Sequence, residues 1–241
     1  MIQEQQAVVV DAGNTHIKVA VFQGAVVEEL HSFDATQLSD LKQLLLGKSH
    51  LPSIVASVRS ERETNWLRQL LPGCVLFSYQ LVKNISVAYE TPETLGMDRL
   101  CNASAAYGLF PGNVLTIDMG TCIKYDFTTA EGAYLGGAIS PGLAMRFRAM
   151  HTLTAKLPLI DDYRPAALIG ANTADALRSG VLNGIEQEVK GMIESYRNTY
   201  PDTQVVLTGG DARHFDFGKI SGIFADEFLT LKGLHLTLIS L

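Results

Sequence analysis

Acidic, glycine and hydroxyl residues gather in three short stretches of this 241-residue chain, at spacings that chemistry can use. In AVVVDAGNTHIKVAVF, residues 7–22, an apolar run ends in Asp11, a Gly13-Asn14-Thr15 turn follows, and an alternating apolar run leads away. Val8, Val9 and Val10 predict a buried strand, because a short β-branched run bounded by glycine favours strand over helix. The turn sets the Asp11 carboxylate at a strand tip, beside backbone N–H groups, the Thr15 hydroxyl and the Lys18 ammonium. Donors converging on a glycine turn suit a polyphosphate, and the carboxylate suits Mg2+. A β-hairpin with a capping aspartate fits the same residues, and this stretch alone does not separate the two readings.

The second stretch, VLTIDMGTCIKYDF at residues 114–127, can be laid on the first. Asp118-Met119-Gly120 matches Asp11-Ala12-Gly13. Thr121 matches Thr15 once Asn14 is skipped, and Ile123-Lys124 matches Ile17-Lys18. Two such turns with matched flanking runs point to a duplicated half. The third stretch, SVAYETPETLGMDRL at residues 86–100, has Pro92 ending a strand and Gly96 just before a helical pattern over 100–107. Asp98 and Arg99 fall in that helix's first turn, where the helix N-terminus favours a carboxylate's ionised form by about 0.3–1 kcal/mol. Acidic first turns are also common as plain caps.

The elements that position these groups follow in order. After the first hairpin, Gln23-Gly24 turns into a strand over 25–30, and Leu38–Leu46 has helical spacing stopped by Gly47. A strand at 53–58 precedes a capping box of Ser60 and Glu63. The helix that follows carries Trp66, expected in the core, and a strand returns at 74–77. In the second half, a strand over 133–139 contains Gly136 and Gly137, which indicate close backbone approach. A helix follows Pro141-Gly142, then an irregular stretch over 152–165. A long helix begins near Asn172-Thr173, with Leu177, Val181, Ile185, Val189, Ile193 and Tyr196 on one stripe. Gly180 and Gly184, one turn apart on it, would admit another backbone. A strand over 204–207 runs into Thr208-Gly209-Gly210-Asp211-Ala212, where a ring or ribose can come close to the main chain. Two lobes are therefore expected, 1–112 and 113–241, with one D-x-G turn on each side of a nucleotide cleft.

Bulk properties narrow the class. With 47% hydrophobic and 18% charged residues the chain can bury a substantial core. A net charge of −6 argues against a general nucleic-acid binder. The opening MIQEQQ has neither the charged start nor the long apolar stretch of a secretory signal, and no run reaches the roughly 20 apolar residues of a membrane span. Cys74, Cys101 and Cys122 are odd in number and widely spaced, as expected of reduced thiols in a cytoplasmic protein.

These motifs together resemble the type III pantothenate kinases of the actin-like ATPase and sugar kinase superfamily. The matching pieces are DAGNTHIK, GMDR at 96–99, DMGT at 118–121, GGAISPG at 136–142, NTADALRSG at 172–180 and TGGDA at 208–212. They run in order over nearly the whole chain, and GMDR with GGAISPG is the most specific part. The resemblance implies an α/β, duplicated ribonuclease H-like fold of two βββαβα-type lobes, and transfer of the ATP γ-phosphoryl group to pantothenate in coenzyme A synthesis. It implies ATP and Mg2+ contacts from Asp11, Ala12, Gly13, Asn14, Thr15, His16, Ile17 and Lys18, with Asp11 on the metal and Thr121 also on ATP. Asp98 would be the base facing the pantothenate hydroxyl, and Tyr89, Gly96, Met97 and Arg99 would line its pocket. Asp118 matches a monovalent-cation ligand for K+ or NH4+. Thr173 matches a residue that completes the pocket of the other subunit, so a homodimer is implied.

The chain departs from the family pattern at Cys122-Ile123-Lys124, where small or hydroxyl residues are usual. Lys124 either faces solvent, as strand alternation leads one to expect of a charged residue, or points inward and puts the cation requirement in question. His16 is expected to face out. Two alternatives keep the same residues: a kinase of the superfamily with another hydroxyl acceptor, and a non-catalytic nucleotide-binding regulator. The carboxylate set Asp11, Asp98 and Asp118 favours an enzyme.

Overall fold

A computed structural model of the protein describes residues 6–110, 112–218 and 220–241, so all but Gln6 of the opening MIQEQQ lies outside it. The chain divides into two compact units, Met1–Gly108 with Phe228–Leu241, and Leu109–Glu227. In the first unit, β1 (Gln6–Ala12), β2 (Ile17–Gln23) and β3 (Val26–Phe33) form an antiparallel run, and β4 (Ser53–Ser57) and β5 (Val75–Leu76) add in parallel. The strand order is β3-β2-β1-β4-β5. The central strand β1 is buried on both faces, which explains why its residues read as a continuous apolar run and not an alternating one. Helices α1 (Leu38–Gly47) and α2 (Glu61–Leu70) bury Leu41, Leu45, Leu67 and Leu70 against Val8, Val10, Val19 and Val55, and Trp66 packs at the margin of that core. The expected capping box forms: Ser60 Oγ accepts from Glu63 N, and Glu63 accepts from Ser60 N at 3.2 Å.

The rest of the first unit comprises a short strand β6 (Ser86–Val87), helix α3 (Met97–Leu109, whose last residue falls in the second unit) and the terminal helix α7 (Leu229–Ile239). The sequence reading kept α7 with the second half. In the structure it packs on β1 and β4 of the first unit. Leu229, Leu231, Leu234 and Leu238 are buried there, and a Cβ at Gly233 would stand 2.2 Å from the Cys101 carbonyl oxygen of α3. That approach is available to glycine alone.

The second unit repeats the first. Strands β7 (Val114–Met119), β8 (Cys122–Thr128), β9 (Ala133–Pro141), β10 (Gln204–Thr208) and β11 (Ile223–Ala225) run in the order β9-β8-β7-β10-β11. The first three are antiparallel, and β10 and β11 are parallel to β7. These five strands match the first unit's five in order and direction, so the repeat found in two turns extends across all of them. Helix α4 (Leu143–Leu153) follows β9, and α5 (Thr173–Arg178) leads through a π-helical turn, Ser179–Asn183, into α6 (Gly184–Thr199). The predicted stripe holds: Leu177, Val181, Ile185, Val189 and Ile193 are buried in one core with Phe127 and Phe147. Among the described residues no close contact forms at Gly180 or Gly184, since a Cβ at either position meets nothing within 4 Å.

His235 of α7 ties the first unit together at a pH-sensitive point. Its Nε2 lies 2.7 Å from the Gly24 carbonyl oxygen, its ring stacks on Phe22 at 4.1 Å, and its buried Nδ1 has no hydrogen-bond partner among the described residues. Burial pushes the imidazole down from an ordinary 6.5 to about 4. The folded state therefore holds the neutral ring, and its contribution to stability is complete above pH 6.5 and is lost as pH falls toward 4. Urea unfolding from pH 7 to 4.5 is expected to show His235→Gln losing less stability than the parent, by about 2–3 kcal/mol at the acid end. Parallel acid profiles would remove His235 from this role.

Candidate active site

Each unit carries one D-x-G turn, and strand register fixes what faces its aspartate. In the first, Asp11 on β1 stands directly opposite Lys18 on β2, and Ala12 opposite Ile17. In the second, Asp118 on β7 stands opposite Lys124 on β8, and Met119 opposite Ile123. Directly opposed residues of an antiparallel pair share a face. The pairing of residues made from sequence is thus the spatial pairing, and Asn14 is the one-residue difference in loop length.

In the first unit, Gly13, Asn14, Thr15 and His16 form the turn, and all but Gly13 are exposed, His16 included as expected. Arg59, which the sequence reading passed over, holds this turn from below. Its Nε donates to the Gly13 carbonyl at 2.8 Å, its Nη2 to that of Asn14 at 3.4 Å, and its Nη1 pairs with Glu63 at 3.0 Å. The signal was present: Arg59 immediately precedes the capping box, and β4 beside β1 delivers it to the turn.

Asp98 lies in the first turn of α3, as predicted, and its Oδ1 accepts from the Arg99 amide at 2.9 Å. A Cβ at Gly96 would come 2.7 Å from that oxygen, so glycine there leaves the carboxylate its place. Arg99 is buried, and its guanidinium lies 5.8 Å from the centre of the Tyr89 ring. Tyr89, Gly96, Asp98 and Arg99 are therefore neighbours in space as well as in sequence. Burial pushes Cys101 well above its usual pKa, and the negative charges of both Asp11 and Asp98 push it further.

In the second unit the GGAISPG strand exit proves to be scaffolding for the DMGT turn. A Cβ at Gly137 would overlap the Tyr125 carbonyl oxygen of β8 at 1.7 Å, and one at Gly142 would stand 2.1 Å from that of Gly120. The Gly142 amide donates to the Thr121 carbonyl at 3.2 Å, and the Gly120 amide to that of Cys122 at 3.1 Å. Ser140 donates to Glu188 at 2.5 Å, Tyr125 donates to the same oxygen at 3.0 Å, and Arg146 pairs with Glu188. Burial alone would raise the Glu188 pKa; the hydrogen bonds from Ser140, Arg146 and Tyr125 outweigh it and the net shift is downward. Thr121 is left exposed at the turn.

Lys124 does not take the solvent-facing placement expected from alternation. Its Nζ donates to Asp118 Oδ2 at 2.6 Å, with only 16% and 14% of the two side chains exposed. The cause is register: the lysine stands opposite a carboxylate on a mostly shielded face, so pairing replaces hydration. Asp211 of the TGGDA segment is close enough for burial and then the charge of Asp118 to raise its pKa, against His214 and Arg213. Thr173 is exposed at the start of α5, where Asn172 caps the helix by accepting from Asp175 N at 2.9 Å. It lines an open, mostly apolar groove with Met145, Arg146, Met150, Leu177 and Gly180. Among the described residues no group of three or more His, Cys, Asp and Glu side chains forms a metal cage, and no helix is long and apolar enough to cross a membrane.

The profile described as type III pantothenate kinase matches residues 7–195. The type III pantothenate kinase of Phocaeicola vulgatus is 40% identical over 230 residues, covering 94% of this chain and 95% of that one. That of Bacteroides fragilis is 41% identical over 232 residues, covering 94% and 95%. Among solved structures, a protein described as a putative Baf family transcriptional activator from Campylobacter jejuni superposes with TM-score 0.65 at 18% identity, over 97% of this chain and 98% of the other. A putative N-acetylmannosamine kinase from Listeria monocytogenes gives 0.56 at 13%, over 98% and 99%. At those identities the structural matches speak for the α/β fold alone.

The packing around Asp118 is testable directly. Gly209 has φ +91°, and a Cβ there would lie 2.3 Å from the Met119 carbonyl oxygen and 2.6 Å from Asp118 Oδ1. Gly209→Ala is expected to cost about 2–4 kcal/mol by urea unfolding. Gly120→Ala, whose Cβ comes no nearer than 3.7 Å to Asp118 Oδ1, is expected to cost about 1 kcal/mol or less. Equal losses would contradict this account of the turn.

Proposed function

The chain belongs to the type III pantothenate kinase family, and we propose that it phosphorylates pantothenate with ATP, using Asp98 to align the acceptor hydroxyl. Members of this family phosphorylate pantothenate in coenzyme A biosynthesis, and the chain matches its curated relatives over nearly their whole length. The observation that supports the residue assignment is the position of Asp98 in the first turn of α3, with the Arg99 amide on its Oδ1 and the buried Arg99 guanidinium over the Tyr89 ring.

Asp98 is suited to orientation. A free carboxylate titrates near 4, far too low to remove an alcohol proton early. In a loose phosphoryl-transfer transition state the proton moves late, and alignment of the nucleophile matters most. The Arg99 amide and the space left by Gly96 hold the Asp98 carboxylate for that task. Tyr89, Met97 and Arg99 are assigned to pantothenate. Arg99 is the buried cation of that group and is suited to the pantothenate carboxylate.

Residues Asp11, Ala12, Gly13, Asn14, Thr15, His16, Ile17 and Lys18 are assigned to ATP, as is Thr121. Arg59 occupies the carbonyl groups of the first turn, so phosphate binding draws on its amides, the Thr15 hydroxyl and Lys18. Mg2+ suits Asp11, because this ion is commonly held by one or two carboxylates and the substrate phosphates and needs no closed protein cage. When bound it neutralises phosphate charge. A monovalent cation at Asp118 fits poorly, because Lys124 Nζ already lies 2.6 Å from Oδ2. A second unit charge about 4 Å from that ammonium would be repelled by about 4 kcal/mol at an effective dielectric of 20. The homodimer is supported by the groove carrying Thr173, an open apolar surface of the kind a second subunit covers. Action in the cytoplasm follows from the biosynthetic role.

An acceptor screen tests the substrate assignment. ATP consumption is expected with pantothenate and Mg2+, and background rates with unrelated alcohols; equal turnover of those alcohols would overturn it. For Asp98→Asn, turnover is expected to fall by about 10²–10⁴-fold while calorimetric ATP affinity stays within about threefold. Near-normal turnover would take Asp98 out of the reaction.

A further inference from the structure

We propose that the Lys124 ammonium is a built-in monovalent cation at Asp118, so that this enzyme binds ATP and turns over without added K+ or NH4+. The inference rests on the kinase reading above and concerns the second D-x-G turn of the same site. Register delivers Lys124 opposite Asp118 on a shared strand face, so the contact is a fixed product of the β7–β8 pairing. The ion pair is short, at 2.6 Å, and largely shielded from solvent, where a charge pair is screened little by salt. An alkylammonium carries the single charge and the N–H donors of NH4+, one of the two ions the family resemblance puts at this aspartate.

The surroundings favour one resident cation. Gly209 passes so close that a Cβ would sit 2.6 Å from the other carboxylate oxygen, Asp118 Oδ1. The turn carbonyls of Thr121 and Cys122 already accept from the Gly142 and Gly120 amides. Asp211, the other carboxylate that senses Asp118, has Arg213 as its own positive neighbour. A K+ ion entering here would meet an ammonium at the carboxylate it requires. A tethered ammonium has no dissociation to bulk solvent, so its occupancy does not depend on the salt present.

The test compares K+ and choline salts at constant ionic strength, in the parent enzyme, in Lys124→Met and in Lys124→Arg. It reads both MgATP affinity by calorimetry and turnover with pantothenate. The parent is expected to change less than about twofold in either readout, and Lys124→Met to lose about tenfold or more in choline and recover with K+ or NH4+. Lys124→Arg keeps the charge and is expected to remain indifferent to K+, which covers the case in which the methionine variant does not fold. A rise of about tenfold in the parent on adding K+ would overturn the proposal, as would a loss in Lys124→Met that no monovalent cation restores. Absence of turnover in every salt would instead overturn the pantothenate assignment, and the ATP-binding comparison would still decide the role of Lys124.

Discussion

The register of two antiparallel hairpins is the constraint on which the rest depends. Each hairpin carries its aspartate at the end of a central, doubly buried strand and sets a lysine directly across from it. The buried central strands cannot slip by one residue, because a slip would turn the apolar side chains of β1 and β7 the wrong way. The positions of the carboxylates are therefore as secure as the cores beneath them. The two turns are then braced differently. Arg59 holds the first through its carbonyl groups, while close backbone contact at Gly142 and Gly209 holds the second.

That difference in bracing accompanies a difference in what each aspartate meets. Asp11 lies at the rim of an exposed turn and, with Asp98, exerts its charge on Cys101. Asp118 meets a lysine and has a glycine backbone against its second oxygen. One duplicated element thus yields one aspartate at the rim of an exposed turn and another paired with a lysine of its own hairpin. Duplication supplied the geometry twice, and the neighbouring strands gave each copy its chemistry.

Much of this was legible in the residues. The repeat was visible because D-x-G with flanking β-branched runs leaves few alternatives, and the Ser60–Glu63 cap because its partners are three residues apart. Asp98 at a helix start followed from Gly96 and the apolar spacing after it. What escaped was decided by contacts distant in sequence. Lys124 reads as a surface residue until β7 is placed beside it. Arg59 reads as a helix-flanking charge until β4 brings it under the first turn. Helix α7 is apolar around most of its circumference, so its sequence does not say which half it covers. Gly180 and Gly184 suggested close packing, and the helix there instead widens into a π turn with open space beside both.

The return of α7 to the first unit has a consequence for how the polypeptide is made. The strands it covers, β1 and β4, are synthesised early, and the whole of the second unit is translated before α7 appears. At roughly 5–20 residues per second that interval is on the order of ten seconds. During it Phe22, which stacks on His235 in the finished protein, waits for the partner helix. The second unit can close its own core in the meantime. The first-begun half of this enzyme is thus the last to be completed, and on the ribosome its exposed sheet face is the stretch most in need of protection.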